Sequence, residues 1–139
     1  MFRTAIVCMS DKGAKGERED ISTNVIEKIV TENGYKVVKK ILIPDEYELI
    51  KETLKNICDN NEADLILTTG GTGFAKRDVT PEATLEIADK IVPGIPEAIR
   101  AYSMTITKRA MLSRAAAGIR KSTLIINMPG SPKAVEESL

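Results

Sequence analysis

The stretch that decides the fold runs from Asp64 to Glu82 and reads DLILTTGGTGFAKRDVTPE. Its apolar start predicts a short buried strand, and three glycines within residues 70–73 predict a turn directly after it. Glycine lets backbone amides converge on a ligand with no Cβ in the way. Thr80 and Pro81 predict a helix start, with Thr80 as the N-cap and Pro81 as the first helical residue. Together with Asp78, these features predict a phosphate and metal site.

Two common phosphate-binding motifs are excluded. The Walker pattern needs Gly-Lys followed by Ser or Thr, and residues 74–77 read FAKR instead. The dinucleotide fingerprint needs a third glycine at the position held by Lys76. A plain tight turn between strand and helix is the simplest alternative interpretation of the glycines.

Strand and helix patterns alternate along the rest of the chain. Predicted strands cover residues 4–9, 35–43 and 65–69, and helical spacing of apolar residues lies between them at 21–30 and 47–58. Further helices are predicted from Pro81, from Pro96 towards Thr107 and after Pro132, and residues 114–119 and 123–128 are predicted to form an antiparallel pair. We therefore predict a single α/β domain over residues 1–139, with three α/β/α layers and a mainly parallel sheet.

The amino-acid composition limits the catalytic groups that the chain can provide. The 139 residues include no histidine, so imidazole base catalysis and imidazole metal ligation are excluded. Carboxylates, hydroxyls, lysines, arginines and backbone amides are left, which suits Mg²⁺ and phosphoryl or nucleotidyl transfer. The two cysteines, Cys8 and Cys58, are expected to be buried thiols.

Charge and hydropathy bear on partners and location. A net charge of zero argues against general nucleic-acid binding. Residues 100–139 nevertheless carry 7 Lys or Arg against 2 Asp or Glu, which favours a polyanionic small molecule there. The sequence shows neither a membrane span nor a signal peptide, so we expect a cytoplasmic protein.

Several polar residues follow predicted strands directly. Ser10 and Asp11 follow the first strand, Asp45 follows the second, and the glycine turn follows the third. Parallel strands place their carboxyl ends at one edge of a sheet, where ligands bind. We therefore expect these residues to converge, although 67 positions separate Asp11 from Asp78.

Four motifs at these strand ends carry a resemblance to a known family. They are CMSD at 8–11, IPDE at 43–46, the glycine stretch from Leu67 to Thr84, and NMPGSPK at 127–133. In this order they resemble the MogA/MoaB family of molybdenum cofactor biosynthesis, which includes the G domain of gephyrin. The resemblance implies a molybdopterin adenylyltransferase that uses Mg·ATP, a homotrimer or larger homo-oligomer, and a MoeA-like molybdate-inserting partner.

The resemblance also implies roles for individual residues. Asp45 and Asp78 would be catalytic and would hold Mg²⁺. Nucleotide binding would involve Ser10, Asp11, Thr69, Gly70, Gly71, Thr72 and Gly73. Molybdopterin binding would involve Ser113, Arg114, Gly118, Asn127, Pro129, Gly130, Ser131 and Lys133. Of this last set, Arg114 has an independent chemical reason, because a guanidinium can grip a phosphate with two parallel hydrogen bonds.

The predicted site residues also have simpler structural interpretations. Asp78 could be an acid favoured by the start of a helix, and Asp45 could be a helix N-cap. Lys133 could be a solvated helix lysine. At the level of function, the alternative is a non-catalytic carrier of molybdopterin or nucleotide, or a scaffold. Retention of both aspartates favours the enzyme.

Overall fold

A six-stranded sheet organises the structure, a computed structural model that describes residues 2–11 and 21–128. The strands are β1 (Arg3–Met9), β2 (Lys36–Ile43), β3 (Leu65–Thr69), β4 (Lys90–Ile91), β5 (Ala117–Arg120) and β6 (Thr123–Met128). The α-helices are α1 (Ile21–Glu32), α2 (Tyr47–Asp59), α3 (Thr80–Ile87) and α4 (Gly94–Met104), and a 3-10 helix spans Lys108–Leu112.

The strand order is β2-β1-β3-β6-β5-β4. The first four strands in that order run parallel, whereas β5 is antiparallel to β6 and β4 is antiparallel to β5. Parallel pairing brings the carboxyl ends of β1, β2, β3 and β6 to one edge, with Thr69 of β3 opposite both Cys8 and Met128. The predicted convergence of the strand-end loops is therefore possible.

Two hydrophobic cores lie on opposite faces of the sheet. One face packs against α2 and α3 through residues such as Ile50, Leu54 and Ile87. The other packs against α1 and α4 through Ile26 and Ile99. Helices on both faces of a mainly parallel sheet give three layers, so the predicted fold class is confirmed.

Most predicted boundaries hold to within about three residues, and the helix predicted after Pro132 lies outside the described residues. The antiparallel pair around Arg120 and Lys121 is observed, with β5 at Ala117–Arg120, and both cysteines are buried as expected. The prediction that Thr80 caps α3 is wrong, because Val79 is the N-cap and Thr80 is the first helical residue. The short edge strand β4 was not predicted, since two exposed residues leave no period that sequence patterns could reveal.

In the described ranges, helices are too short or too polar to span a lipid bilayer. The longest of them, α2, has 13 residues and includes charged side chains. A membrane span needs about 20 predominantly apolar residues.

Candidate active site at the sheet edge

The loops after β1 and β2 are joined at the carboxyl edge of the sheet. The Ser10 amide donates to the Ile43 carbonyl at 2.9 Å. Asp11 and Asp45 then exchange a reciprocal pair of hydrogen bonds: the Asp11 amide donates to Asp45 Oδ2 at 3.1 Å, and the Asp45 amide donates to Asp11 Oδ1 at 3.0 Å. Two acids 34 positions apart are therefore held side by side.

The glycine turn packs against these loops too closely for side chains. Gly70 has φ +95° and Gly71 has φ +75°, a region that favours glycine. A Cβ on Gly70 would collide with the Met9 carbonyl oxygen, and a Cβ on Gly71 would collide with Thr80 Oγ1 and lie 3.3 Å from Asp45 Oδ1. Both glycines are thus required by the backbone path and by the space available.

Two oxygens behind Gly71 are buried without a hydrogen-bond partner in the described part of the chain. They are Asp45 Oδ1 and Thr80 Oγ1. Both lie within 3.3 Å of the point where a Gly71 Cβ would stand. Buried polar oxygens in native structures almost always have a partner, so these two oxygens indicate that this edge takes up a group that supplies the missing contacts.

Burial makes the Asp45 charge unfavourable. The pKa of Asp45 is raised above its ordinary value of 3.8, first by desolvation and then by the charges of Asp11 and Asp78. A hydrogen bond from the Asp11 backbone and the charge of Arg77 act in the opposite direction. A carboxylate destabilised in this way gains from a cation placed beside it.

Asp78 is held by the turn that precedes α3. Its Oδ2 accepts from the Ala75 amide at 2.9 Å, and its own amide donates to the Ala75 carbonyl at 3.0 Å. A Cβ on Gly73 would come within 2.9 Å of Asp78 Oδ2. Asp78 therefore closes the loop against Gly73 and does not cap α3, whose N-cap is Val79. Asp45 is not a cap either, because Glu46 is the N-cap of α2.

Arg114 braces the outer side of the same loop. Its Nε donates to the Gly73 carbonyl at 2.8 Å, its Nη2 donates to the Asp78 carbonyl at 2.6 Å, and its Nη1 pairs with Glu82 at 2.5 Å. Its backbone amide donates to the Thr72 carbonyl at 3.0 Å. The guanidinium predicted to contact the pterin phosphate thus fixes the carbonyls of the glycine loop.

An open cleft of about 680 Å³ borders this edge. It is lined by Asp45, Glu46, Tyr47, Glu48, Lys76, Arg77 and Val79. Its volume lies within the range of about 300–1,000 Å³ typical of small-molecule sites. The acids and the two cations on its wall suit a phosphorylated ligand that arrives with a metal ion.

Of the residues predicted to bind the pterin, Ser113, Gly118 and Asn127 make contacts within the fold. Asn127 is buried, and its side chain accepts from the Ala116 amide and donates to Thr68 and Thr84. Gly118 packs against Ala88, where a Cβ would come within 2.7 Å of the Ala88 Cβ. Ser113 follows the 3-10 helix and its Oγ accepts from the Ala115 amide. Pro129, Gly130, Ser131 and Lys133 lie outside the described residues.

The chain is similar to a known protein family over nearly its whole length. The profile of a family described as "Probable molybdopterin binding domain" matches residues 5–139. The chain belongs to this family.

The chain is similar to proteins that are named for an enzymatic activity and to a solved crystal structure. A protein of Haemophilus influenzae named molybdopterin adenylyltransferase is 53% identical over 143 residues, covering 100% of this chain and 72% of the relative. A protein of the same name from Escherichia coli K12 is 41% identical, covering 99% of this chain and 72% of the relative. The crystal structure of a Thermus molybdopterin biosynthesis enzyme, MoaB, superposes with a TM-score of 0.94 at 47% identity, covering 100% of this chain and 87% of that one.

Sequence reasoning missed three contributors to the site of this family member. Arg77, the residue before Asp78, was assigned no role, and it ion-pairs with Asp11. Thr80 was interpreted as a cap, and its hydroxyl is buried behind Gly71. Glu82 was assigned no role, and it pairs with Arg114 across 32 positions. The alternation of opposite charges in the loop was a signal for Arg77; the other two contacts depend on tertiary packing.

Proposed function

We propose that this chain is a molybdopterin adenylyltransferase. It would join AMP from Mg·ATP to the terminal phosphate of molybdopterin and release pyrophosphate. The names of relatives at 41–53% identity over nearly the whole chain support this activity. The structural observation that supports this activity most strongly is Asp45 Oδ1. This carboxylate oxygen is buried at the glycine turn and has no hydrogen-bond partner in the described ranges.

The reaction requires alignment and charge neutralisation more than proton transfer. An oxygen of the pterin phosphate forms a bond to the α-phosphorus of ATP, and the bond from that phosphorus to the bridging oxygen breaks. Pyrophosphate leaves with the electron pair. Because the nucleophile is already an anion, the absence of histidine is no obstacle.

The residues present fit a magnesium ion. Asp45 Oδ1 lacks a partner, and Asp78 is near enough that its charge raises the pKa of Asp45. Residues 2–11 and 21–128 contain no set of three or more His, Cys, Asp or Glu side chains arranged around a metal. Two carboxylates that rely on substrate phosphates for the remaining ligands are typical of Mg²⁺. When bound, the ion would neutralise charge on the phosphates during transfer.

The roles of the two ligand ends are part of the proposal. Asp45, Asp78 and residues 69–73 would hold the nucleotide, together with Ser10 and Asp11. The pterin phosphate would lie towards residues 127–133 and the basic stretch around Arg114. Since Arg114 braces the glycine loop, its replacement would impair nucleotide use as well as any pterin contact.

A direct assay tests the activity. The parent chain, mixed with molybdopterin and Mg·ATP, is expected to give adenylylated pterin and pyrophosphate, measured by mass spectrometry. Asp78→Asn should lower kcat by a factor of about 100 with a smaller change in nucleotide affinity, which corresponds to a lost electrostatic stabiliser. Glu62→Gln is the control, since Glu62 precedes β3 at the opposite edge and pairs with Lys39. No product from the folded parent chain would contradict the proposal.

The proposal also includes the location, the oligomeric state and the partner of the chain. The chain would act in the cytoplasm as one domain, as a trimer or larger homo-oligomer. It would pass its product to a MoeA-like molybdate-inserting protein. Exposed apolar side chains on α4 and the 3-10 helix support self-association.

A further inference from the structure

Asp11 is the centre of a hydrogen-bond network that joins three loops. Arg77 Nε donates to Asp11 Oδ2 at 2.6 Å, and Arg77 Nη2 donates to Asp11 Oδ1 at 3.0 Å. The Asp45 amide donates to the same Oδ1 at 3.0 Å. A two-point guanidinium–carboxylate pair fixes the plane of the carboxylate, so Arg77 determines where Asp11 can receive the Asp45 amide.

The network also sets the rotation of the Asp45 carboxylate. The Asp11 amide donates to Asp45 Oδ2 at 3.1 Å. With Oδ2 engaged, Oδ1 faces Gly71 and Thr80, where it is buried and has no partner in the described part of the chain. The oxygen proposed to bind the cation is therefore presented by contacts that originate at Arg77.

Charge gives Arg77 a second effect. The carboxylates of Asp11 and Asp78 both act on Asp45 at this edge. The guanidinium compensates the charge of Asp11 and lowers the pKa of Asp45, which favours the charged form of that carboxylate. The Arg77 side chain is 55% exposed, and exposed ion pairs contribute little to stability. Its main effect is therefore on the geometry of the site.

We propose that Arg77 is a positioning residue that acts through Asp11 to hold the Asp45 carboxylate in its cation-binding orientation. This inference rests on the adenylyltransferase function proposed above. It differs from a direct role of Arg77 in gripping substrate phosphates, which its place on the cleft wall would also allow.

Kinetics of single variants give the first test. Arg77→Met should lower kcat about tenfold or more while KM for molybdopterin stays within about twofold, because a displaced carboxylate harms alignment more than binding. Arg77→Lys should recover part of kcat through one remaining contact to Asp11. Arg3→Met is the matched control: it removes a guanidinium that pairs with Asp64 through Nε and Nη2 at the opposite edge of the sheet.

A double variant separates positioning from direct phosphate contact. If Arg77 acts through Asp11, then Arg77→Met combined with Asp11→Asn should lower kcat no further than Arg77→Met does alone. If Arg77 grips phosphate directly, the two losses should multiply and KM for ATP should rise. Multiplying losses, or an Arg77→Met variant no different from Arg3→Met, would overturn the proposal.

A measurement without substrate separates this proposal from the activity itself. The Asp45 amide is held by Asp11 Oδ1, so its hydrogen exchange, followed by NMR in the free protein, should accelerate in Arg77→Met and stay unchanged in Arg3→Met. Unchanged exchange in Arg77→Met would refute the positioning role whether or not the chain adenylylates. Faster exchange in a chain whose parent makes no product would refute the activity and leave the positioning of Asp45 standing.

Discussion

At the scale of single residues, Asp45 places an unfavourable charge at the sheet edge. Its folded pKa is raised above 3.8, chiefly by desolvation, so the folded chain holds this proton to higher pH than the unfolded chain does. The free energy of unfolding therefore falls as pH rises from about 3.8 through the raised folded pKa. We expect Asp45→Asn to raise the Tm of the metal-free protein at pH 7 while lowering kcat at least tenfold.

The pH dependence supplies the control for Asp45. The Tm gain should shrink as pH is lowered through the same window, because the parent carboxyl is then protonated as well. Asp64→Asn should behave oppositely, since the hydrogen bond from Arg3 lowers the pKa of Asp64 and its charge stabilises the fold at neutral pH. Scanning calorimetry between pH 3 and 7 would reject the interpretation if Asp45→Asn lowered Tm throughout.

At the scale of elements, Asn127 joins β6 to three neighbours. Its amide group contacts the Ala116 amide on the way to β5, Thr68 of β3 and Thr84 of α3. Asn127→Ala would leave buried polar groups unpaired, at about 1–3 kcal/mol each, so we expect a loss of about 3 kcal/mol or more in unfolding free energy. Urea titration measures it, and Asn56→Ala, exposed on α2, should cost almost nothing. A loss below about 1 kcal/mol, with altered pterin affinity, would favour a ligand contact instead.

Part of the arrangement of these elements could be predicted from the sequence. Period and turn residues predicted β1, β2 and β3, and the carboxyl-edge rule predicted that Asp11 and Asp45 meet. The assignment of Asn127 to molybdopterin came from the family resemblance and stays a prediction, and the sequence had no signal for its buried contacts with Thr68 and Thr84. Side-chain pairings such as Arg114 with Glu82 have no signature in the sequence, since they depend on how α3 packs against the chain before β5.

At the scale of the whole molecule, α4, the 3-10 helix and the turn between them carry several exposed apolar side chains. Tyr102 of α4 is 58% exposed, and Met111 of the 3-10 helix is 61% exposed. Exposed apolar surface of this kind is typical of an interface, and we expect a second copy of this chain to cover it. Met111→Glu would place a charge in that interface, where it would be desolvated without a partner.

Light scattering coupled to size exclusion would measure the result. The parent chain should have a mass of three or more protomers of 15.2 kDa, and Met111→Glu should shift it towards the protomer with its circular dichroism spectrum unchanged. Val38→Glu, the matched change on the exposed side of edge strand β2, should leave the assembly intact. If Val38→Glu dissociates the oligomer and Met111→Glu does not, copies of the chain meet at the β2 edge. If the parent chain is monomeric, the exposed apolar side chains of α4 and the 3-10 helix are instead expected to contact a different protein.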